Sequence, residues 1–267
     1  MNQPISSTLF HTPLDEQVAQ LTQQIRRAPA DARLRVHYAQ LCMVKGDWER
    51  AVAQLQTVAQ LDAKCIPMAQ AYREAIRCER ARERVFAGEL EVKSIGQPND
   101  WLPLLARSLA CRAGGDAVQA AELHAQAFEQ AGETSFLIDG EQVEWIADGD
   151  SRLGPVCELF LNGQYYWLAF ENIQRLEIDA PTDLRDLVWL PARVTLSNGG
   201  QHPVLLPARY PLSHAEGQDA LALASLTEWR PLGDELWAGV GQRMLVSPAG
   251  EHPLLAVREL SSLAGQP

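Results

Sequence analysis

The sequence is poor in cysteine and lysine and has no long apolar run. Its five cysteines form no CxxC pair; they are Cys42, Cys65, Cys78, Cys111 and Cys157. An odd, scattered set of this kind argues against a disulfide framework and favours reduced thiols. No stretch approaches the roughly 20 unbroken apolar residues that cross a bilayer, and the N-terminal MNQPISSTLFHTPLDEQ resembles no secretory signal. We therefore expect a soluble, cytoplasmic protein without a membrane partner.

The motifs of common enzymes and cofactor sites are also missing. The sequence contains no GxSxG, Walker A, GxGxxG or HExxH motif, and its histidines lack metal-ligand spacing. Asp148-Gly149-Asp150 begins like a calcium loop, but Arg152 and Leu159 stand where that loop needs oxygen donors. We therefore expect no metal, no cofactor and no enzymatic activity. A hydrolase that uses Asp148, Asp150 and Glu158 as acid–base carboxylates remains an alternative.

The negative charge is confined to one half of the chain. The net charge is −11, and residues 133–267 hold 19 acidic and 8 basic side chains, all eight of them arginine. Such a charge disfavours binding to nucleic acid or anionic lipid. Because arginine pairs with carboxylates in a planar, bidentate fashion, we expect some of these arginines in fixed ion pairs. The charge change predicts a domain boundary near residue 132.

The first half, residues 1–132, has the pattern of a helical repeat. Gly46-Asp47 recurs as Gly115-Asp116, a spacing of 69 that is about twice the period of tetratricopeptide repeats. We predict helix–turn–helix units over Ala32–Ala63 and Trp101–Gly132, a degenerate unit over Pro67–Gly96 and a leading helix over Gln17–Pro29. Such units stack into a superhelix with a peptide-binding concave surface. A plain α-helical bundle is the alternative.

One helix of this half would carry a basic stripe. Arg73, Arg77, Arg80 and Arg84 recur at helical spacing, which places them on one face. A solvated face paired with neighbouring glutamates is the simpler interpretation. The alternative is a docking stripe for an acidic surface, either on a partner or on the second half of this chain.

The second half, residues 133–267, is predicted to be mostly antiparallel strands with one helix. Asn162-Gly163 lies between Val156–Leu161 and Gln164–Phe170 and predicts a tight hairpin. Two further hairpins are predicted, one joining Arg193–Ser197 to Pro203–Leu206 and one joining Arg243–Ser247 to Leu254–Leu260. Asp219–Trp229 predicts a helix. We expect a small α+β or partly open barrel domain.

Several long motifs in this half resemble one protein family. They are Trp145–Glu158 (WIADGDSRLGPVCE), Asp186–Ala192 (DLVWLPA) with Asn198-Gly199-Gly200, Leu206–Pro211 (LPARYP), Leu226–Trp229 (LTEW) and Gly239–Leu245 (GVGQRML). In this order they resemble the ImpE (TagJ, SciE-type) family of type VI secretion accessory proteins. The likeness extends to Pro29–Arg35 in the helical half. One departure is Leu212-Ser213-His214, where the family has a smaller, Gly-containing turn.

The resemblance implies a non-enzymatic cytoplasmic adaptor. Its partners would be the N-terminal helix of the small contractile-sheath subunit and the AAA+ unfoldase that recycles contracted sheaths. A general repeat-type chaperone or scaffold for another client is the alternative. The motif residues that would serve as structural or interface positions are Trp145, Asp148, Asp150, Arg152, Gly154, Pro155, Arg209, Tyr210, Gln242 and Arg243. We expect Arg152, Arg209 and Arg243 to be buried and held by carboxylates such as Asp148 and Asp150.

Two surfaces are candidates for the partner helix. The concave face of the helical half is one. The other is the strand domain, where Tyr165, Trp167, Trp189 and Trp229 could anchor an amphipathic helix. We favour the strand domain narrowly, although the same aromatics could equally be core residues.

Overall fold

The computed structural model describes residues 12–233 and 235–263. Residues 1–11 of the N-terminal stretch, on which the prediction of no secretory signal rests, lie outside this range. The helices are α1 (Leu14–Arg27), α2 (Ala32–Val44), α3 (Trp48–Leu61), α4 (Ile66–Phe86), α5 (Trp101–Ala113), α6 (Ala117–Gln130) and α7 (Asp219–Ala222). No helix within the described ranges is long and apolar enough to cross a membrane.

The strands form one large sheet and two small ones. They are β1 (Lys93–Ile95), β2 (Phe136–Ile138), β3 (Glu141–Val143), β4 (Ala147–Asp148), β5 (Val156–Leu161), β6 (Gln164–Ala169), β7 (Ile173–Ile178), β8 (Trp189–Leu196), β9 (Gln201–Pro207), β10 (Thr227–Gly233), β11 (Leu236–Gly241), β12 (Met244–Ser247), β13 (Gly250–Pro253) and β14 (Glu259–Ser262). The large sheet has the order β1-β6-β5-β9-β8-β7-β14-β2-β3, and all its pairs are antiparallel except β1–β6. The predicted fold class, helices followed by a mostly antiparallel sheet, is confirmed.

The two complete repeat units match each other at their turns. Gly46 and Gly115 both adopt positive φ, 70° and 86°, which favours glycine. The next residues, Asp47 and Asp116, cap α3 and α6 through their side chains. The backbone N–H of each also donates to the carbonyl five residues earlier, at 2.9 Å in both units. The 69-residue spacing therefore records a real structural repeat.

The middle unit differs from the prediction. We expected Pro67–Gly96 to form a degenerate helix pair, but α4 is one uninterrupted helix of 21 residues. The following segment alternates polar and apolar residues (Glu89-Leu90-Glu91-Val92), which favours an extended strand over a second helix. It leads into β1, which pairs in parallel with β6. The leading helix is confirmed as α1.

The strand predictions are confirmed in two of three hairpins. Asn162 and Gly163 both have positive φ, 50° and 68°, as the tight turn between β5 and β6 requires. β8 and β9 also pair as predicted. The third prediction is wrong in its second strand, because β12 pairs with β13 (Gly250–Pro253) while β14 joins the large sheet instead.

The predicted helix over Asp219–Trp229 is much shorter than expected. α7 spans only four residues, and Thr227 already begins β10, which pairs with β11. Ala224 has a positive φ of 51°, which ends any helical continuation, and the preceding residues from Leu221 onward are all buried. The apolar run from Leu221 to Ala224 therefore reflects the burial of these residues and does not mark one face of a longer helix.

The helices and the sheet share a hydrophobic core. One cluster of buried side chains joins residues of α2 to α6 with Phe160, Trp167 and Trp189 of the sheet. A second cluster lies within the strand half and includes Phe136, Leu176 and Leu206. The two halves of the chain are therefore packed together, with α4 against β6 at their junction.

Candidate functional site

The central feature of the helix–sheet junction is a buried arginine, Arg82 of α4. Its guanidinium makes a two-pronged contact with Glu158 of β5, at 2.8 Å to Oε1 and 2.7 Å to Oε2. A third bond, at 3.0 Å, reaches Glu79 one turn earlier on α4. The side chains of Arg82 and Glu158 are 0% exposed. This pair therefore ties the helical half to the sheet through residues 76 positions apart.

A second buried arginine extends the contacts into the family motifs. Arg243 lies 3.1 Å from Glu158 and 2.5 Å from Asp148. Asp150 in turn binds Arg152 at 2.5 Å and accepts the backbone N–H of Gly239. These side chains form what we call the junction network: Glu79, Arg82, Asp148, Asp150, Arg152, Glu158 and Arg243. Arg152 and Arg243 are held by Asp150 and Asp148 as expected, but only Arg243 is buried, since the Arg152 side chain is 19% exposed.

The junction network contains four carboxylates and three guanidinium groups, so its charges do not balance. Burial alone would raise the pKa of Glu158, but the charges of Arg82 and Arg243 outweigh it and lower that pKa to about 2. Burial raises the pKa of Asp148 to about 6, although Arg243 acts in the opposite direction. Asp148 therefore takes up a proton at a higher pH than Glu158 does.

Three of the predicted partner anchors belong to this interior. The Tyr165 hydroxyl donates to Glu158, and the Trp167 indole donates to that hydroxyl at 2.6 Å. The Trp189 indole donates to Glu79 at 2.8 Å. All three rings are buried, so they are core residues here and offer no surface to a partner helix. Trp229 is only half-buried; its ring packs against Tyr210 and over Gly149.

Arg209 is held differently from our expectation. Among the described residues no carboxylate bonds to it; its guanidinium donates to the carbonyls of Met43 at 3.1 Å, Val44 at 2.6 Å and Ala222 at 2.5 Å. Met43 and Val44 end α2, where the last carbonyls carry partial negative charge; that of Met43 also accepts the Gly46 N–H at 3.1 Å. Burial lowers the pKa of Arg209 to about 10, which leaves it charged at neutral pH. Arg209 therefore caps a helix of the other half of the chain.

The remaining motif residues shape the surrounding loops. Gly154 has a φ of 51°, and a Cβ there would lie 2.2 Å from the Phe128 ring of α6. Trp145 and Pro155 line a cavity of about 310 Å³ beside Phe128.

The other motif residues make separate contacts. The Tyr210 hydroxyl accepts from Met244 N–H at 3.1 Å. The buried Oε1 of Gln242 has no hydrogen-bond partner within the described residues. The His214 ring, at the departure from the family motif, packs where a Cβ on Gly46 would clash.

The predicted basic stripe lies on the exposed side of α4. Arg77 donates to the Gly163 carbonyl of the strand half at 3.0 Å, Arg80 pairs with Glu49 and Arg84 with Glu89. Arg73 is also exposed. The deepest contact comes instead from Arg82, which the sequence analysis missed. The sequence feature that could have indicated Arg82 is its position: Glu79 and Arg82, three residues apart, lie on the face of α4 that is otherwise apolar.

The carboxylates that a hydrolase would need are already engaged. Asp148, Asp150 and Glu158 are buried, and each is bonded to a guanidinium. No group of three or more histidine, cysteine or acidic side chains within residues 12–233 and 235–263 is placed to hold a metal ion. The arrangement joins the two halves of the chain, and these three carboxylates are all engaged by guanidinium groups.

These features define a class: a helical-repeat protein locked to an antiparallel sheet by buried ion pairs. A family model described as ImpE protein matches residues 140–261. The chain is 45% identical, over 92% of its length and 86% of the relative's, to the type VI secretion system accessory component TagJ of Pseudomonas aeruginosa. The crystal structure of Vibrio parahaemolyticus protein VPA1032 superposes with a TM-score of 0.85 and 27% identity, covering 94% of each chain. The chain belongs to the ImpE/TagJ family.

Proposed function

We propose that this protein is a non-enzymatic accessory component of a type VI secretion system that works as an adaptor in the cytoplasm. The observation that carries the proposal is the 45% identity, over nearly the whole chain, to a protein bearing that name. The buried, ion-paired state of Asp148, Asp150 and Glu158 favours an adaptor over the hydrolase alternative.

The adaptor's first partner is the small subunit of the contractile sheath, recognised through its N-terminal helix. Two helix–turn–helix units, α2–α3 and α5–α6, support this assignment, because such units present surfaces to peptides and helices. Its second partner is the AAA+ ATPase that disassembles contracted sheath. In this scheme the protein brings ATPase and sheath together.

The test is a binding measurement with the intact small sheath subunit and with the same subunit lacking its N-terminal helix. We expect saturable binding of the first and at least a tenfold loss for the second. Equal binding of both subunits would contradict recognition of the helix, and comparable binding of unrelated secretion clients would favour a general chaperone. Recruitment is tested separately, by whether the ATPase co-precipitates with sheath only when this protein is present.

A further inference from the structure

The cavity beside Phe128, which we call the Trp145 cavity, lies where the end of α6 meets the Trp145–Glu158 motif. Its volume is about 310 Å³. The rings that line it are those of Trp101, Phe128, Trp145, Pro155 and Phe170. Trp101 and Phe170 are buried, whereas Phe128 is 39% exposed and Trp145 is half-buried. The aromatic faces that a ligand can reach are therefore those of Phe128 and Trp145.

The Phe128 ring is held in place before any ligand binds. It stacks on the His124 imidazole, with the ring centres 4.1 Å apart, and His124 is bonded to the Ser151 carbonyl at 2.8 Å. Gly154 approaches the same ring so closely that a Cβ there would lie 2.2 Å from it. A ring restrained in this way loses little conformational freedom on binding, which favours affinity.

The charged side chains that line the Trp145 cavity are both acidic. They are Glu133 and Glu171, and no lysine or arginine of the described residues lines it. Neither glutamate forms an ion pair with a described residue; Glu171 accepts hydrogen bonds from the neutral Asn99 and Trp101 side chains. His124 adds no positive charge at neutral pH, because burial lowers its pKa below the ordinary value. The cavity therefore favours a cation over an anion.

Reachable aromatic faces beside such carboxylates match a guanidinium better than an ammonium. A guanidinium is planar and stacks on an aromatic face, and its N–H groups form a fork that fits a carboxylate. The chain itself contains this arrangement: the Arg152 guanidinium lies 4.8 Å from the centre of the Phe86 ring and pairs with Asp150. Arg185 lies over Tyr72 in the same way, at 4.5 Å. No guanidinium of the described residues fills the Trp145 cavity.

From these aromatic faces and carboxylates, we propose that the Trp145 cavity binds an arginine side chain presented by a segment of a partner protein. The guanidinium lies against the Trp145 and Phe128 rings and pairs with the exposed Glu133. Free arginine is a poorer ligand, because Glu133 and Glu171 repel its α-carboxylate, whereas an arginine within a chain has neutral amides on both sides. The volume, near the lower end of the range of about 300–1,000 Å³ for small-ligand sites, fits a single side chain. This site is independent of the sheath recognition proposed above.

The test is an NMR titration of the full-length protein with the blocked tripeptides Gly-Arg-Gly, Gly-Lys-Gly and Gly-Gln-Gly and with free arginine. The chain has seven tryptophans, and the indole N–H signal of Trp145 is identified by its loss in Trp145→Phe. We expect the arginine peptide to shift this signal saturably. It should bind at least threefold more tightly than the lysine peptide or free arginine, and the glutamine peptide should cause no shift.

Two charge variants locate the site. Glu133→Lys reverses a charge of the cavity at an exposed position, and Glu122→Lys is the matched control, an exposed glutamate of α6 that does not line the cavity. We expect Glu133→Lys to weaken binding of the arginine peptide at least fivefold and Glu122→Lys to change it less than twofold. Circular dichroism and melting temperature check that both variants are folded.

Three results would overturn the proposal. Equal weakening by both charge variants would mean general attraction to an acidic surface. A Trp145 signal that does not move would place the arginine elsewhere or nowhere on the protein. Free arginine that binds more tightly than the peptide would make the cavity a small-molecule site and exclude a partner segment.

Discussion

The bond between Arg82 and Glu158 should be the most sensitive point of the junction. Arg82→Met removes three charge-assisted hydrogen bonds, two to Glu158 and one to Glu79, and fills a similar volume. Breaking one side of a buried ion pair costs about 3–5 kcal/mol, because the remaining charge is left buried. Glu158 keeps Arg243, and Glu79 keeps the Trp189 indole. We therefore expect a loss near the lower end, about 3 kcal/mol.

The assay is urea unfolding followed by tryptophan fluorescence, to which the buried Trp167 and Trp189 should contribute. Arg80→Met is the matched control, because Arg80 lies on the exposed side of the same helix and its pair with Glu49 is a surface pair. Such pairs contribute about 0–1 kcal/mol. A loss confined to Arg82→Met would assign the effect to burial rather than to helix propensity.

A double variant separates lost packing from an uncompensated charge. Arg82→Met leaves the junction network with four carboxylates and two guanidinium groups. Adding Glu158→Gln removes one of those buried charges, so the double variant should be more stable than the single one. Two results would contradict this role of the ion pair: Arg82→Met within about 1 kcal/mol of the wild type, well below the range for a broken buried pair, or a double variant that is less stable than the single one.

Four further results are expected. Because burial raises the pKa of Asp148 to about 6, the stability that this carboxyl contributes should fall as pH rises from 4.5 to 6, while His214, whose pKa burial lowers to about 4, contributes in the opposite direction; the stability of Asp148→Asn relative to the wild type should therefore increase over this window in urea titrations at several pH values. Arg209→Met leaves the Val44 carbonyl at the end of α2 without its side-chain donor, while the Met43 carbonyl keeps the Gly46 N–H, and should cost about 1–3 kcal/mol in thermal or urea unfolding, with Arg209→Lys in between. Gly154→Ala meets the Phe128 ring and a positive φ, so it should lower the melting temperature, and Phe128→Ala should restore only part of that loss. Limited proteolysis should not rapidly separate residues 1–132 from 133–267 as two stable pieces, and their rapid release would contradict the docking of the two halves.

Local chemistry explains what the sequence could predict. Asn162-Gly163 specifies its turn because both residues tolerate positive φ, and Gly46-Asp47 and Gly115-Asp116 specify a turn and a helix cap within a few positions. The pairing of Arg152 with Asp150 also follows from neighbours two residues apart. Each of these features depends on a short stretch of chain.

Long-range packing explains what the sequence could not predict. The helical pattern of Asp219–Trp229 is overridden because the chain from Thr227 onward pairs with β11 as a strand. Arg209 donates to the Val44 carbonyl at the end of α2, 165 positions away. No local sequence pattern indicates that this carbonyl is its acceptor. The burial of Trp167 and Trp189 depends on α4 lying across the sheet. An aromatic residue in a strand has the same local pattern whether it is core or interface.

The proposed adaptor role depends most on recognition of a helix of the contractile sheath. Calorimetric titration of the full chain with the synthetic N-terminal helix of the small sheath subunit tests it most directly. We expect saturable one-to-one binding with a negative heat-capacity change, since apolar surface is buried. Absence of binding at low salt, or equal binding of a scrambled peptide of the same composition, would contradict it.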